Sequence, residues 1–221
     1  MQSETSDQLP SCRHLTTVLI SSINPSTRPD QTTFLAAADA QIKSTLLTLY
    51  TLFPNELLPA LDLLDRGLVT RLKLAIDEHG STYNTELLPD QSLISTYYVR
   101  SAQPPSTHSR SKHRTVQTPT YYEVHLNSWS CSCPAFAFSA FPATIPALDS
   151  PDLVSAMDVE RTVAKYGWVF GGLGRGMEAP VCKHLLACVL AERCEGFARG
   201  MVEEREVSRE EMAGWAAGWG D

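Results

Sequence analysis

Residues 120–141 read TYYEVHLNSWSCSCPAFAFSAF, and this stretch decides the fold. Its first half is rich in aromatic and β-branched residues, which predicts one continuous strand ending on Cys131 and Cys133. Two cysteines one residue apart are either metal ligands or small core residues, because free cysteine is among the most buried residue types. The choice rests on what the rest of the chain can add to them. No further Cys or His appears until Cys182 and His184, with 48 residues intervening (134–181).

Together the two pairs read C-x-C, a long spacer, then C-x-H. Three thiolates and one imidazole form an accepted tetrahedral set for zinc, and a closed set of four marks a structural ion rather than a catalytic one. The first pair comes from the end of a strand and the second from the start of a helix. One structural zinc ion would therefore tie sheet to helix across the spacer. Cys188, four residues beyond His184, and His125, ahead of the C-x-C pair, are the alternative ligands. A catalytic zinc would need an open position and a nearby carboxylate base, and the chain carries no H-E-x-x-H arrangement. Asp62 and Asp65 read as helix-surface groups.

Upstream, residues 1–29 are rich in Ser, Thr, Pro and Gln and read as weakly structured. A helical hairpin is expected over 30–67. Its first helix, capped by Asp30, has Phe34, Ala38, Ile42, Leu46 and Tyr50 four apart and stops at Pro54; its second, over NELLPALDLLDRG, ends at Gly67. Strands are expected in LVTRLKLAI and SLISTYYVR, giving with the third a small antiparallel sheet.

Two insertions interrupt the domain assigned to 68–200. The first, 102–118, carries Arg110, Lys112 and Arg114 without an acidic residue, and reads either as a solvated loop or as a contact to DNA phosphates. The second, 142–181, holds a short helix within SPDLVSAMDVERTVAKYG and then GGLGRG, which matches neither the dinucleotide fingerprint nor the P-loop and reads as a connector. The helix begun at CKHLLA is expected to run to about residue 201. Residues 201–221 are expected as a charged surface helix and tail, with Trp215 and Trp219 four apart.

The chain has 221 residues, 43% of them apolar and 19% charged, with a net charge of -7. That composition is globular, and the acidic balance leaves any nucleic-acid contact to a local basic patch. No stretch approaches the roughly 20 apolar residues of a membrane span. LTTVLI is too short for a signal-peptide core. Six cysteines spread over a C-x-C pair, a C-x-H pair and singles suit metal binding in a reducing compartment better than a disulfide framework.

With these residues in place, CSCPAF followed by CKHLLA resembles the SWIM zinc finger, whose pattern is C-x-C, a variable spacer, then C-x-H-x-x-A. CSCPAFAFSAF, CKHLLACVLAE and ALDLLDRGLVTRL are further similar to the SWIM-containing subunit of the Shu complex, over roughly residues 54–195. The resemblance implies zinc ligation by Cys131, Cys133, Cys182 and His184, with Ala187 as a packing residue on the adjoining helix. It also implies a non-enzymatic nuclear factor that pairs with a RecA-like recombinase paralog. Such a factor helps the recombinase itself assemble on single-stranded DNA, contacting DNA through the complex, in homologous recombination repair. The alternative is a stand-alone DNA-binding SWIM finger of a transposase-like or chromatin factor.

Overall fold

Apolar spacing and turn residues place the helices between residues 40 and 65 and the central strands in the computed structural model, which describes residues 10–23, 40–75, 96–102, 120–142, 153–172 and 179–219. In chain order the elements are α1 Cys12–Ser21, α2 Ala40–Leu52, α3 Leu57–Asp65, β1 Val69–Leu74, β2 Thr96–Arg100, β3 Tyr121–His125, β4 Ser130–Cys131, α4 Pro134–Ala140, α5 Leu153–Tyr166, α6 Lys183–Arg193, α7 Glu195–Ala198, β5 Val202–Val207 and α8 Arg209–Ala216. The fold is α+β. No described helix is long and apolar enough to cross a membrane.

The part of the expected hairpin that is described consists of α2 and α3. Within α2 the buried stripe is Ile42, Thr45 and Leu49, while Tyr50 is largely exposed. Strict four-residue spacing drifts around a helix that turns every 3.6 residues, so the face actually used alternates steps of three and four. In α3 the buried residues are Leu57, Ala60, Leu63 and Leu64. Gly67, at φ 59°, ends that helix as expected, with its N–H on the Leu64 carbonyl and that of Leu68 on Leu63.

The five strands lie in the order β4-β3-β2-β1-β5. The sheet is antiparallel from β4 through β1, but β5 runs parallel to β1, with Val69 opposite Val202 and Leu74 opposite Val207. The three strands expected from the sequence pair antiparallel as anticipated, and the helix expected over VEEREV is corrected to β5, which adds a parallel strand at the edge. Charged residues there gave a helix-like surface pattern. In the sheet the same acids meet the cations of β1, with Lys73 Nζ 2.7 Å and Arg71 Nη1 3.5 Å from Glu204. The single strand expected over 120–133 is likewise a hairpin: β3 and β4 are joined by a turn in which Trp129 takes φ 50°.

The segment read as weakly structured contains α1. Ser11 caps it, accepting from the His14 N–H. Its buried face is Arg13, Thr16, Thr17 and Ile20, mostly polar, which is why no apolar period announced it. Both threonines return their hydroxyls to the carbonyls four residues back, Thr16 to Cys12 and Thr17 to Arg13, so the face can be buried with its donors satisfied.

At the centre lies α6. Every residue from His184 to Leu190 is buried, because the helix packs on α3 and α1 and also touches β3 and β4. It breaks at Cys194 (φ -121°, ψ 57°) rather than continuing to residue 201, and α7 leads through Gly200 into β5. On the far side of the sheet a smaller core forms from Leu72, Tyr98, Val207 and Trp215 of α8. Trp219, by contrast, lies beyond α8 and is exposed. The sheet is thus covered on both faces, and each face carries its own chemistry.

Candidate metal centre

Cys131 is the last residue of β4, and Cys133, two positions on, is the N-cap of α4. Cys182 is the N-cap of α6 and His184 lies in its first turn. Pro134 at the first helical position suits the chain leaving Cys133, since it lacks an N–H that the helix start could not use. The hairpin turn brings β4 back against β3, and α6 packs its start on both strands. Four side chains from two distant stretches thereby converge: the Sγ atoms and the imidazole nitrogen lie within 4.8 Å of one another, and all four residues are buried. Cys131 Sγ is 3.9 Å from His184 Nδ1.

A tetrahedral ion with bonds of about 2.0–2.3 Å places its donors about 3.6–3.8 Å apart, so the cluster is near the size such an ion demands. Three sulfurs and one nitrogen fill a four-coordinate shell. The donor set therefore fits a metal, with His184 offering Nδ1 toward Cys131. The rings of Tyr122 and His184 lie 4.6 Å apart and 30° from parallel, which fixes the imidazole plane.

Two helix starts stabilise negative sulfur at this point. The Phe136 amide donates to Cys133 Sγ at 3.3 Å, and the Leu185 amide to Cys182 Sγ at 3.4 Å. Each sulfur caps its helix and sits at the positive end of the peptide dipoles. Hydrogen bonds from the Cys131 and Cys182 thiols hold Cys133 well below the usual thiol range. Cys131 is pushed far up by its hydrogen bonds to Cys133 and Cys182 and by burial. The bond of Cys182 with Cys131 acts downward, but that with Cys133, together with burial, leaves Cys182 at about 11. Without a cation, then, the cluster retains protons that hydrogen-bond one sulfur to another.

A cleft of about 440 Å³ between α3, α4 and α6 reaches Cys133, Cys182 and His184, giving solvent species a route to an otherwise buried cluster. The two alternative ligands are placed elsewhere. His125 Nε2 contacts Glu123 Oε1 at 3.0 Å, and Cys188 is fully buried in the core, where desolvation pushes its thiol well above the ordinary range. Ala187 is fully buried on α6. Asp62 pairs with Arg66 on the surface of α3. Arg110, Lys112 and Arg114 lie outside the described residues, as do positions 173–178 of the glycine-rich segment.

Sequence reasoning missed the groups that brace the site. Trp129 Nε1 donates to the Pro180 carbonyl at 2.8 Å, joining the hairpin turn to the approach to Cys182. Gly172 sits against that same turn, where a Cβ would come within 3.1 Å of the Asn127 carbonyl and 3.2 Å of Trp129 Cβ. Arg13 of α1 donates to the carbonyls of Phe170 (2.8 Å) and Gly172 and so fixes the segment from the other side. A lone Arg among threonines and a glycine pair were the only traces of this in the sequence.

These features define a mixed α+β protein whose buried Cys3His cluster could hold a metal ion. No protein-family model matches the chain, and no curated protein gives a significant match.

Proposed function

We propose that the chain is a non-catalytic zinc-finger subunit of a Shu-type complex. In this reading it pairs with a RecA-like recombinase paralog and promotes assembly of the recombinase filament on single-stranded DNA in the nucleus, during homologous recombination repair. The observation that carries it is the convergence of Cys131, Cys133, Cys182 and His184 in one buried cluster, in the C-x-C and C-x-H order of the SWIM finger. Zinc is the metal of choice for three thiolates and an imidazole, since it prefers a closed tetrahedral set of soft donors.

Bound zinc supplies folding energy here, not a reacting water. The chain's own residues do the rest. Cys133 and Cys182 cap α4 and α6, so holding their sulfurs together fixes the directions of both helices. His184 and Cys131 join the start of α6 to the β3–β4 hairpin. The partner then meets a surface whose helices are already ordered, which lowers the entropic cost of association.

The experiment is mass-spectrometric identification of proteins that co-purify with the tagged chain from its native cells, beside a Cys182→Ser control. A RecA-like paralog recovered with the wild type and lost with the variant is expected. Chromatin or transposon proteins in its place would shift the reading to a stand-alone DNA-binding finger.

A further inference from the structure

The sheet ends at β5, an edge strand of 6 residues whose one strand partner among the described residues is β1. The Ala75 N–H reaches the Val207 carbonyl at 2.9 Å, so the backbone polar groups of Val207 point inward to β1. These groups alternate in direction along a strand. Those of Glu203 and Arg205 therefore point inward as well, and those of Val202, Glu204 and Glu206 point away from the sheet. An outward row of N–H and C=O groups is a template for pairing with another strand.

The side chains along this row are acidic. Glu203, Glu204 and Glu206 are exposed. Arg205 is the one cation of β5 and it is engaged, with Nε donating to Glu203 Oε1 at 2.8 Å and the guanidinium 5.6 Å from the Trp215 ring centre. Glu204 meets Lys73 and Arg71 from the β1 side, and α8 opens with Glu210 and Glu211 just beyond the strand. A second copy of the chain paired at this edge would lay glutamates beside glutamates, and like charges directly opposite are destabilising. A strand with cations at alternate positions has the complementary charge, flanking Glu204 from the open side as Lys73 does from the other.

We propose that β5 accepts an extended, basic segment of another protein as a sixth strand of the sheet. Backbone hydrogen bonds give such strand addition its affinity, and side chains at alternate positions give it specificity. Cations beside Glu204 and Glu206 select the register, because a slip of one residue moves them to the opposite face, where Arg205 stands over Trp215. The same glutamates keep the edge from joining copies of this chain. The proposal uses β5 and not the metal cluster, so it stands apart from the recombination reading.

The probe is a capped octapeptide of alternating lysine and threonine, titrated into the full chain and followed by backbone amide exchange. Near saturation it should slow exchange of the Val202, Glu204 and Glu206 amides about tenfold. N-methylation of one alternate set of peptide amides should abolish binding, while methylation of the other set, which faces solvent, is tolerated. Glu206→Lys should weaken binding about five- to tenfold at an unchanged melting temperature, because it turns an attractive cross-strand pair into a repulsive one. No binding of the basic peptide, equal sensitivity to the two methylated sets, or unchanged exchange at those three amides overturns the proposal. Slow exchange at the same amides in a self-associated chain without peptide overturns the basic-partner assignment and gives the edge to a second copy.

Discussion

Cys133 and Cys182 each perform two tasks with one atom: Sγ accepts the N–H that caps a helix and faces the other donors of the cluster. Replacing Cys182 by Ser keeps a capping oxygen, so the helix start is preserved while the soft donor is lost. Metal affinity should fall by more than the 10- to 100-fold typical of outer-shell changes, on the order of 1,000-fold. Elemental analysis after gel filtration checks this, and a full equivalent of zinc retained by the variant would sink the ligand assignment.

Protonation gives a second prediction at this scale. Cys131 and Cys182 hold protons that a cation must displace, their thiols being raised in the metal-free fold. Metal binding therefore releases protons, and apparent affinity should rise with pH and fall as pH is lowered. Competition with a chromogenic chelator across pH 5 to 8 reads this directly; a flat profile contradicts it.

Among the elements, α1 acts through hydrogen bonds rather than through an apolar stripe. Thr17 Oγ1 donates to the Arg13 carbonyl and accepts the Phe170 N–H at 2.9 Å, tying α1 to the segment that backs the hairpin turn. Thr17→Val has nearly the same shape but leaves a buried N–H without an acceptor, at a cost of about 1–3 kcal/mol. Chemical denaturation measures it, and a change below about 0.5 kcal/mol would show that α1 is an appendage. The β5 strand is an equally indirect product. Its exposed pairs, such as Lys73 with Glu204, contribute little singly, roughly 0–1 kcal/mol. They favour the parallel register with β1 in which Arg71 faces Glu204.

For the whole molecule, the sheet separates two cores. The metal cluster and α6 lie on one side, and Leu72, Tyr98, Val207 and Trp215 on the other. Trp215→Ala should cost about 3–5 kcal/mol by emptying the smaller core. It should leave metal stoichiometry unchanged, because none of the four ligands touches that core. Loss of bound zinc in a variant that remains folded would show that the two faces are coupled.

The sequence by itself determined the α+β class, the central strands, the helix that begins at Cys182 and the four residues that form the cluster. Each rests on local information: β-branched and aromatic runs, a cap, a glycine at the end of α3, and donor atoms whose chemistry is the same wherever they fall. Tertiary structure alone decided α1, the break of residues 120–133 into a hairpin, the strand at Val202–Val207 and the burial of Trp215 while Trp219 stays exposed. In α1 the buried face is polar and is satisfied by carbonyls within its own helix and by the Phe170–Gly172 segment. In β5 a strand outcompetes a helix because β1, distant in sequence, offers it backbone partners and cations. Propensity and period cannot register such partners, since they come into reach only once the chain has folded.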